Sequence, residues 1–213
     1  MAGEQTGGRG RRGRPWASPK GNFHATLLMW PTEAPEVVAL RSFAAALALR
    51  DTCVALTGLP QSFQLKWPND VLLNDGKLAG ILLESVGQGG RLSHLAIGIG
   101  VNLIAAPDAS QIEEGALRPV SLLAETGLRI APEAFLATLA PAYARWEQVF
   151  VSQGFGPLRA EWLAHAARLG QTIRARTGVS TREGIFETVD VTGALVLRTP
   201  TATVAIPAAE VFF

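Results

Sequence analysis

The residue types most capable of chemistry lie in four short strings. The first is Gln5-Thr-Gly-Gly-Arg-Gly-Arg-Arg-Gly-Arg14, where four glycines and four arginines interleave from Gly7 to Arg14. Glycines let a backbone approach a ligand without a Cβ in the way. Arginines supply planar, permanently charged donors matched to phosphate and carboxylate oxygens, and the backbone amides of such a turn can add an anion-binding nest. Taken alone, the segment fits an Arg-Gly tail touching nucleic acid, a disordered terminus or an expression scar at least as well. Its context favours a loop, because Pro15-Trp16 and Ser18-Pro-Lys-Gly-Asn22 lead straight into a hydrophobic strand.

The second string, Lys66-Trp-Pro-Asn-Asp70, has Pro68 to hold an extended or turned backbone, which puts Asn69 and Asp70 near a strand end where ligands sit. An ordinary polar strand-to-turn junction would look the same. The third, Lys77-Leu-Ala-Gly80, follows a tight turn only seven residues beyond Asp70, so lysine and carboxylate can flank one pocket. The fourth, Gly98-Ile-Gly-Val-Asn102, has glycines inside a strand, a mark of close approach by ligand or backbone. Asn102 can serve a base edge, a ribose or a turn. His24, His94 and His165 have no metal-ligand partners at useful spacing, and no Ser-His-Asp order or paired-carboxylate motif appears. Metal ligands stay unassigned.

These strings need elements to hold them. Apolar groups at 23, 25, 27 and 29 predict a strand over 22–29. Glu36 to Thr57 reads as one buried helix stopped at Gly58. Phe63, Leu65 and Trp67 alternate as a second strand. Turns at Asn74-Asp75-Gly76 and Gly87 to Gly90 bracket apolar runs at 78–86 and 92–103, which predict adjacent antiparallel strands deep in a sheet. Pro132 opens a helix carrying Phe135, Leu139, Tyr143, Trp146 and Phe150, with Pro141 expected to bend or break it. Pro157 opens another amphipathic stretch, ending near Gly170. From 171 onward five short strand-like runs, with a turn at Thr192-Gly193, predict a small barrel and a domain boundary at Leu169–Gln171.

Bulk properties set limits. The 213 residues are 48% hydrophobic and 17% charged, enough for a core, and the net charge is only +1. Within residues 1–20, Arg9, Arg11, Arg12, Arg14 and Lys20 stand against Glu4 alone, a local +4 that suits an anionic ligand. Cys53 is the one cysteine, so no internal disulfide forms, and its Ala/Leu surroundings suggest a buried small hydrophobe. No secretory signal is visible, and Arg41, Arg50 and Asp51 interrupt the longest apolar stretch, from Val37 to Leu56. A cytoplasmic protein without a membrane span is expected.

In their order and spacing the four strings resemble the biotin–protein ligases, over most of a catalytic domain. The resemblance implies an α+β fold: a mixed or antiparallel sheet with flanking helices (a class II synthetase-like core) over 1–169, and a small SH3-like β-barrel over 170–213. It implies a monofunctional ligase without a DNA-binding domain. Such an enzyme uses ATP, with Mg2+, to make biotinyl-5′-adenylate and passes the biotinyl group to a lysine of a biotin carboxyl carrier domain. Gln5, Arg9, Gly10, Arg11, Lys77 and Gly80 are implied contacts for biotin or the adenylate, with Arg9, Arg11, Lys77 and Asp70 as the catalytic set. Asn69 and Asn102 are implied on the nucleotide side. No specific nucleic acid is implied as a partner, and a homodimer is compatible. Family members also carry a strand–helix unit with a Ser/Thr-Asn segment ahead of the Gly-Arg loop. Here Met1 stands four residues before Gln5, so an N-terminally truncated ligase is expected, with an inactive truncated ligase as the alternative. A lipoate–protein ligase-type acyl-adenylating enzyme and a non-enzymatic Arg-Gly nucleic-acid binder are the competing readings.

Overall fold

The computed structural model describes residues 1–88, 91–108, 115 and 117–213. Its larger sheet holds β1 (Phe23–Met29), β2 (Phe63–Lys66), β3 (Asp70–Leu73), β4 (Gly76–Gln88) and β5 (Arg91–Val101). All neighbours are antiparallel, in the spatial order β1-β5-β4-β3-β2. The apolar runs expected deep in the sheet are β4 and β5, at its centre. The turn proposed for Gly87 to Gly90 includes Gly89 and Gly90, which lie outside the described residues.

Side chains alternate across this sheet, and its two faces do different work. Phe23, Ala79, Ile81, Ile97, Ile99 and Val101 are in the core, beneath α2 (Arg41–Thr57) and α4 (Pro132–Gln153). Phe23 meets Phe135 of α4 with ring centroids 5.0 Å apart. The opposite face carries His24, Gly80 and Gly100 and belongs to the site. α2 is buried along most of its length; its alanines let it lie close to the sheet and α4, and Gly58 ends it in the left-handed region (φ 71).

Several boundaries differ from expectation. The helix expected over 36–57 is two, α1 (Pro35–Ala39) and α2, with a turn at Leu40. α4 runs through Pro141 as one helix. The left-handed residues of the β3–β4 turn are Asn74 (φ 48) and Asp75 (φ 62), and Gly76 already belongs to β4. Gly76 is required for space, since a Cβ there would stand 2.3 Å from Val120 Cγ1. Between β5 and α4, α3 (Leu122–Thr126) is capped by Ser121, whose hydroxyl accepts from the Ala124 amide. α5 (Phe155–Ala164) ends well before Gly170. The backbone there turns to hydrogen-bond with β2: Leu65 N–H donates to His165 O and Ala167 N–H to Leu65 O, each at 2.8 Å.

The second sheet, order β10-β6-β7-β8-β9, is built from β6 (Thr172–Arg176), β7 (Thr181–Val189), β8 (Leu195–Arg198), β9 (Thr203–Ile206) and β10 (Glu210–Phe212). It is clasped to the first unit: Trp67 Nε1 donates to Gly193 O at 3.0 Å, and the Arg159 guanidinium donates to Val189 O. Trp162 of α5 packs edge-on against Phe186. Among the described residues no helix is long and apolar enough to cross a membrane. Cys53 is fully buried, and burial pushes its thiol up to about 12, so it is an inert core residue.

Arg41, at the start of α2, is 3% exposed and pairs with Glu33 (2.7 Å) and Glu147 (2.9 Å), tying α2 to α4 and to the segment after β1. Removing one partner of such a cluster leaves buried charge uncompensated. Arg41→Ala is therefore expected to cost about 3 kcal/mol of stability in a urea titration followed by circular dichroism.

Candidate active site

A single row of cross-strand neighbours lays out the site. Lys66 stands opposite Asp70, Asp70 opposite Gly80, Gly80 opposite Gly100, and Gly100 opposite His24. Residues paired across an antiparallel sheet share a face, so the polar end of this row and its glycine floor open on one side. Lys77 reaches that side through a bulge. The β3–β4 register shifts between Val71 and Leu72, so that Leu72 pairs with Lys77 while Asp70 pairs with Gly80. In a regular strand, positions three apart point to opposite faces; the extra residue turns Lys77 to the side of Asp70.

Above the row sits the Gly-Arg segment, folded as a loop. The Ala2 amide donates to His24 O, the Trp16 amide to Gly8 O at 3.0 Å and the Gly10 amide to Arg14 O at 2.7 Å. Ser18 Oγ donates to Gln5 Oε1 at 2.7 Å. Arg12 and Gly13, both left-handed (φ 58 and 72), reverse the chain at the tip. A Cβ on Gly8 would lie 2.6 Å from Trp16 O, so this glycine lets the loop close on itself. The loop carries the Trp16 indole down onto the glycine floor, where a Cβ on Gly100 would be 2.5 Å from Trp16 Nε1 and one on Gly80 3.3 Å from its ring.

Between floor and loop is a cavity of about 840 Å³. Gln5, Arg9, Gly10, Arg11, Asn69, Asp70, Lys77, Gly80 and Asn102 all line it, so the structure brings every sequence-derived site residue to one place. Two of the asparagines are partly engaged: Asn69 Nδ2 donates to Ile81 O (2.6 Å) and Asn102 Nδ2 to Val120 O (3.1 Å). Lining residues that motif reading did not single out as contacts are Trp16, Thr26, Lys66, Gly98 and Gly100, together with Glu210 and Phe212 of the second sheet. The period-two pattern of β1 could have pointed to Thr26, but nothing in the sequence links residue 210 to residue 14.

Charge is organised around Asp70. Lys77 Nζ is 2.8 Å from Asp70 Oδ1 and Lys66 Nζ 3.7 Å from Oδ2. Burial would push the Asp70 carboxyl up, but Lys77 and Lys66, with Arg11 farther away, hold it below the usual carboxylate range. Burial in turn lowers Lys66, against the pull of Asp70. Lys77 also lies 5.6 Å from the centre of the Trp16 ring. The cavity is thus cationic at the Asp70 end and small-residue and apolar over the glycine floor, a shape suited to a molecule with an anionic end and an uncharged body.

The loop arginines turn toward the second sheet. Arg14 and Arg176 (2.9 Å) hold the Glu210 carboxylate, with Arg12 at 3.8 Å, and Arg11 donates to Ala209 O at 3.2 Å. Burial raises the Glu210 carboxyl, while Arg176 and Arg14 bring it below its ordinary value. Among the described residues no group of three or more His, Cys, Asp or Glu side chains could hold a metal ion. Of the carboxylates lining the cavity, Asp70 and Glu210 are both taken by cations, so among the described residues these two do not form a magnesium site.

Residues 1–102 match the model of the biotin/lipoate A/B protein ligase family, and residues 169–213 that of the biotin protein ligase C-terminal domain. The chain is 54% identical, over its whole length and 89% of the relative, to a biotin–[acetyl-CoA-carboxylase] ligase of Paracoccus denitrificans. The chain belongs to the biotin/lipoate protein ligase family. It is also 30% identical to the bifunctional ligase/repressor BirA of Bacillus spizizenii, over 93% of this chain but 61% of that protein. The structure of the biotin protein ligase from Aquifex aeolicus in complex with biotin and ATP superposes with a TM-score of 0.81 at 25% identity, covering 98% of this chain and 85% of that one. The α+β architecture of the family is the one observed here.

If Glu210 holds this family member's loop over the cavity, Glu210→Gln loosens it. Trypsin is then expected to cut after the loop arginines severalfold faster, with the first cleavage site mapped by mass spectrometry and an unchanged thermal midpoint.

Proposed function

We propose that this chain activates the carboxylate of biotin with ATP and transfers the biotinyl group to a lysine of a biotin carboxyl carrier domain. The observation that carries the reading is the coincidence, in one cavity, of the Lys77–Asp70 pair, the loop arginines and a glycine floor. A biotin carboxylate oxygen attacks the α-phosphorus of ATP, the bond to the β-phosphate oxygen breaks, and pyrophosphate leaves. Two anions must meet for this. Fixed cations at Arg9, Arg11 and Lys77 offset their repulsion and the charge that develops at phosphorus. The uncharged bicyclic end of biotin suits the floor at Gly80 and Gly98, and Gln5 supplies an amide at the loop root. On this reading Asn69 and Asn102 face the nucleotide. Magnesium enters as part of the nucleotide substrate, carried on phosphate oxygens.

In the second step the acceptor amine attacks the acyl carbon of the mixed anhydride, and the carbon–oxygen bond to AMP breaks. Asp70 orients the acceptor ammonium and takes one proton from it to give the attacking amine, and the second proton, lost as the nitrogen–carbon bond forms, leaves with the AMP phosphate. The adenylate is prone to hydrolysis, and a loop pinned from both sides excludes water while it waits. Residues 1–169 act as the catalytic unit, and the C-terminal unit from 170, with its five-stranded sheet, contributes the wall at Glu210 and Phe212. A cytoplasmic setting suits an enzyme that consumes ATP and has one unpaired thiol.

The test is transfer of biotin to a carrier domain, read by streptavidin blot and by pyrophosphate release. Lys77→Ala is expected to reduce transfer about a hundredfold or more, the usual scale for losing one charge-stabilising group, while the fold survives. Unchanged transfer would remove Lys77 from the mechanism, and preferential use of lipoate in a competition assay would favour the other carboxylic acid of the family. Salt-sensitive polynucleotide binding that survives loss of Lys77 would instead support a nucleic-acid role. A homodimer is a further expectation. β1 is the edge of its sheet and leaves Leu27 and Leu28 exposed; sedimentation equilibrium should show Leu28→Lys shifting any dimer toward monomer.

A further inference from the structure

Two lysines serve one carboxylate in this site, and they differ in freedom. Lys77 rises from the bulge at the start of β4, and its side chain is 32% exposed. The Lys66 side chain is 9% exposed, hydrogen-bonding distance is exceeded at 3.7 Å, and its backbone is fixed directly opposite Asp70 in the β2–β3 ladder. The Phe213 ring covers the Lys66 ammonium at 5.7 Å and takes Arg168 at 5.3 Å. Lys77 can follow a substrate; Lys66 cannot.

The chemistry above asks Lys77 to leave. Once biotin's carboxylate and the α-phosphate arrive, the mobile lysine is drawn to them. Were Lys66 not fixed beside it, Asp70, 7% exposed, would then be a buried anion with no near counter-charge, and burial would favour its neutral form. A neutral acid can neither orient an ammonium by charge nor receive its proton. Asp70 Oδ1 is buried and, among the described residues, has no hydrogen bond of good geometry, Lys77 being close but poorly aligned. That oxygen is free to accept as soon as Lys77 moves.

We propose that Lys66 is a positioning residue for the second step: it is the fixed counter-charge of Asp70, which releases Lys77 to serve the adenylate while Asp70 stays ready for the acceptor lysine. The inference rests on the ligase reading given above. The charged groups around Asp70 are Lys77 on β4, Lys66 on β2 and Arg11 on the loop, with Glu210 of β10 acting on Lys66. Removing Lys66 leaves burial less opposed, so the Asp70 carboxyl rises. A step needing the carboxylate then fails first at the acid end and recovers as pH increases.

The experiment separates the two steps in the full chain. Adenylate formation is read as biotin-dependent pyrophosphate release without acceptor, and transfer as biotinylation of a carrier domain from preformed biotinyl-5′-adenylate across pH. Lys66→Gln should keep adenylate formation near wild type and lose about tenfold or more in transfer, the scale of an impaired acid–base group. Its acid limb should move to higher pH, and Lys66→Arg should restore the limb. In an Asp70→Asn background the same change should have no further effect on transfer, and this double variant, which removes the buried pair together, covers the case in which Lys66→Gln does not fold. Equal loss in both steps with an unmoved pH profile, unaffected transfer, or a further loss in the Asp70→Asn background would overturn the proposal. Absence of adenylate formation by the unaltered chain would count against the ligase reading instead.

Discussion

An ionised carboxylate inside a protein is stable only while cations stay close to it, and Asp70 is such a group. Lys77, Lys66 and Arg11 come from β4, β2 and the N-terminal loop, and each must be held within reach of it. That requirement explains much of the surrounding design. The hairpin from β2 to β3 sets Lys66 opposite Asp70, and the bulge between β3 and β4 delivers Lys77. The loop approaches only because Gly80 and Gly100 leave room for Trp16. The site is therefore a charge cluster at one end of a sheet row whose other positions are emptied of side chains.

The second sheet is part of this arrangement. Through Glu210 and the Ala209 carbonyl it holds three of the four loop arginines, and β10 lines the cavity wall. On the proposed ligase reading, the arginines have two kinds of anion to meet, one intramolecular and one that comes with substrate. Holding them beforehand reduces the ordering needed when the nucleotide arrives, since long flexible cations lose side-chain freedom when fixed.

Much of the fold was legible because its signals are local. The apolar runs at 78–86 and 92–103 became the two central strands, Gly58 ended α2 as its position suggests, and Pro132 opened α4. Misreadings came where distant contacts overrode local pattern. α5 stops at Ala164 because the next backbone groups bond to β2, and Gly76 is a packing glycine because Val120 lies against it. Pro141 sits within an uninterrupted helix that packs on α2 over much of its length.

By itself the sequence determined which residues to consider for the site: the Gly-Arg, Lys66–Asp70, Lys77–Gly80 and Gly98–Asn102 strings, through their resemblance to the biotin–protein ligases, named a set that shares one cavity. It also determined why the loop can fold tightly, since Gly8 and Gly13 stand where a side chain or a right-handed backbone would obstruct it. Only the tertiary structure decided the geometry among them. Alternation alone sends Lys77 and Gly80 to opposite faces, and it takes a bulge to reverse one. Lys66 belongs to what reads equally as an ordinary polar strand-to-turn junction until β3 and Phe213 close around it, and residue 210 meets residue 14 only because two sheets are clasped together. Such contacts depend on register and on the docking of units far apart in the chain, and these are energies of packing that no local string encodes.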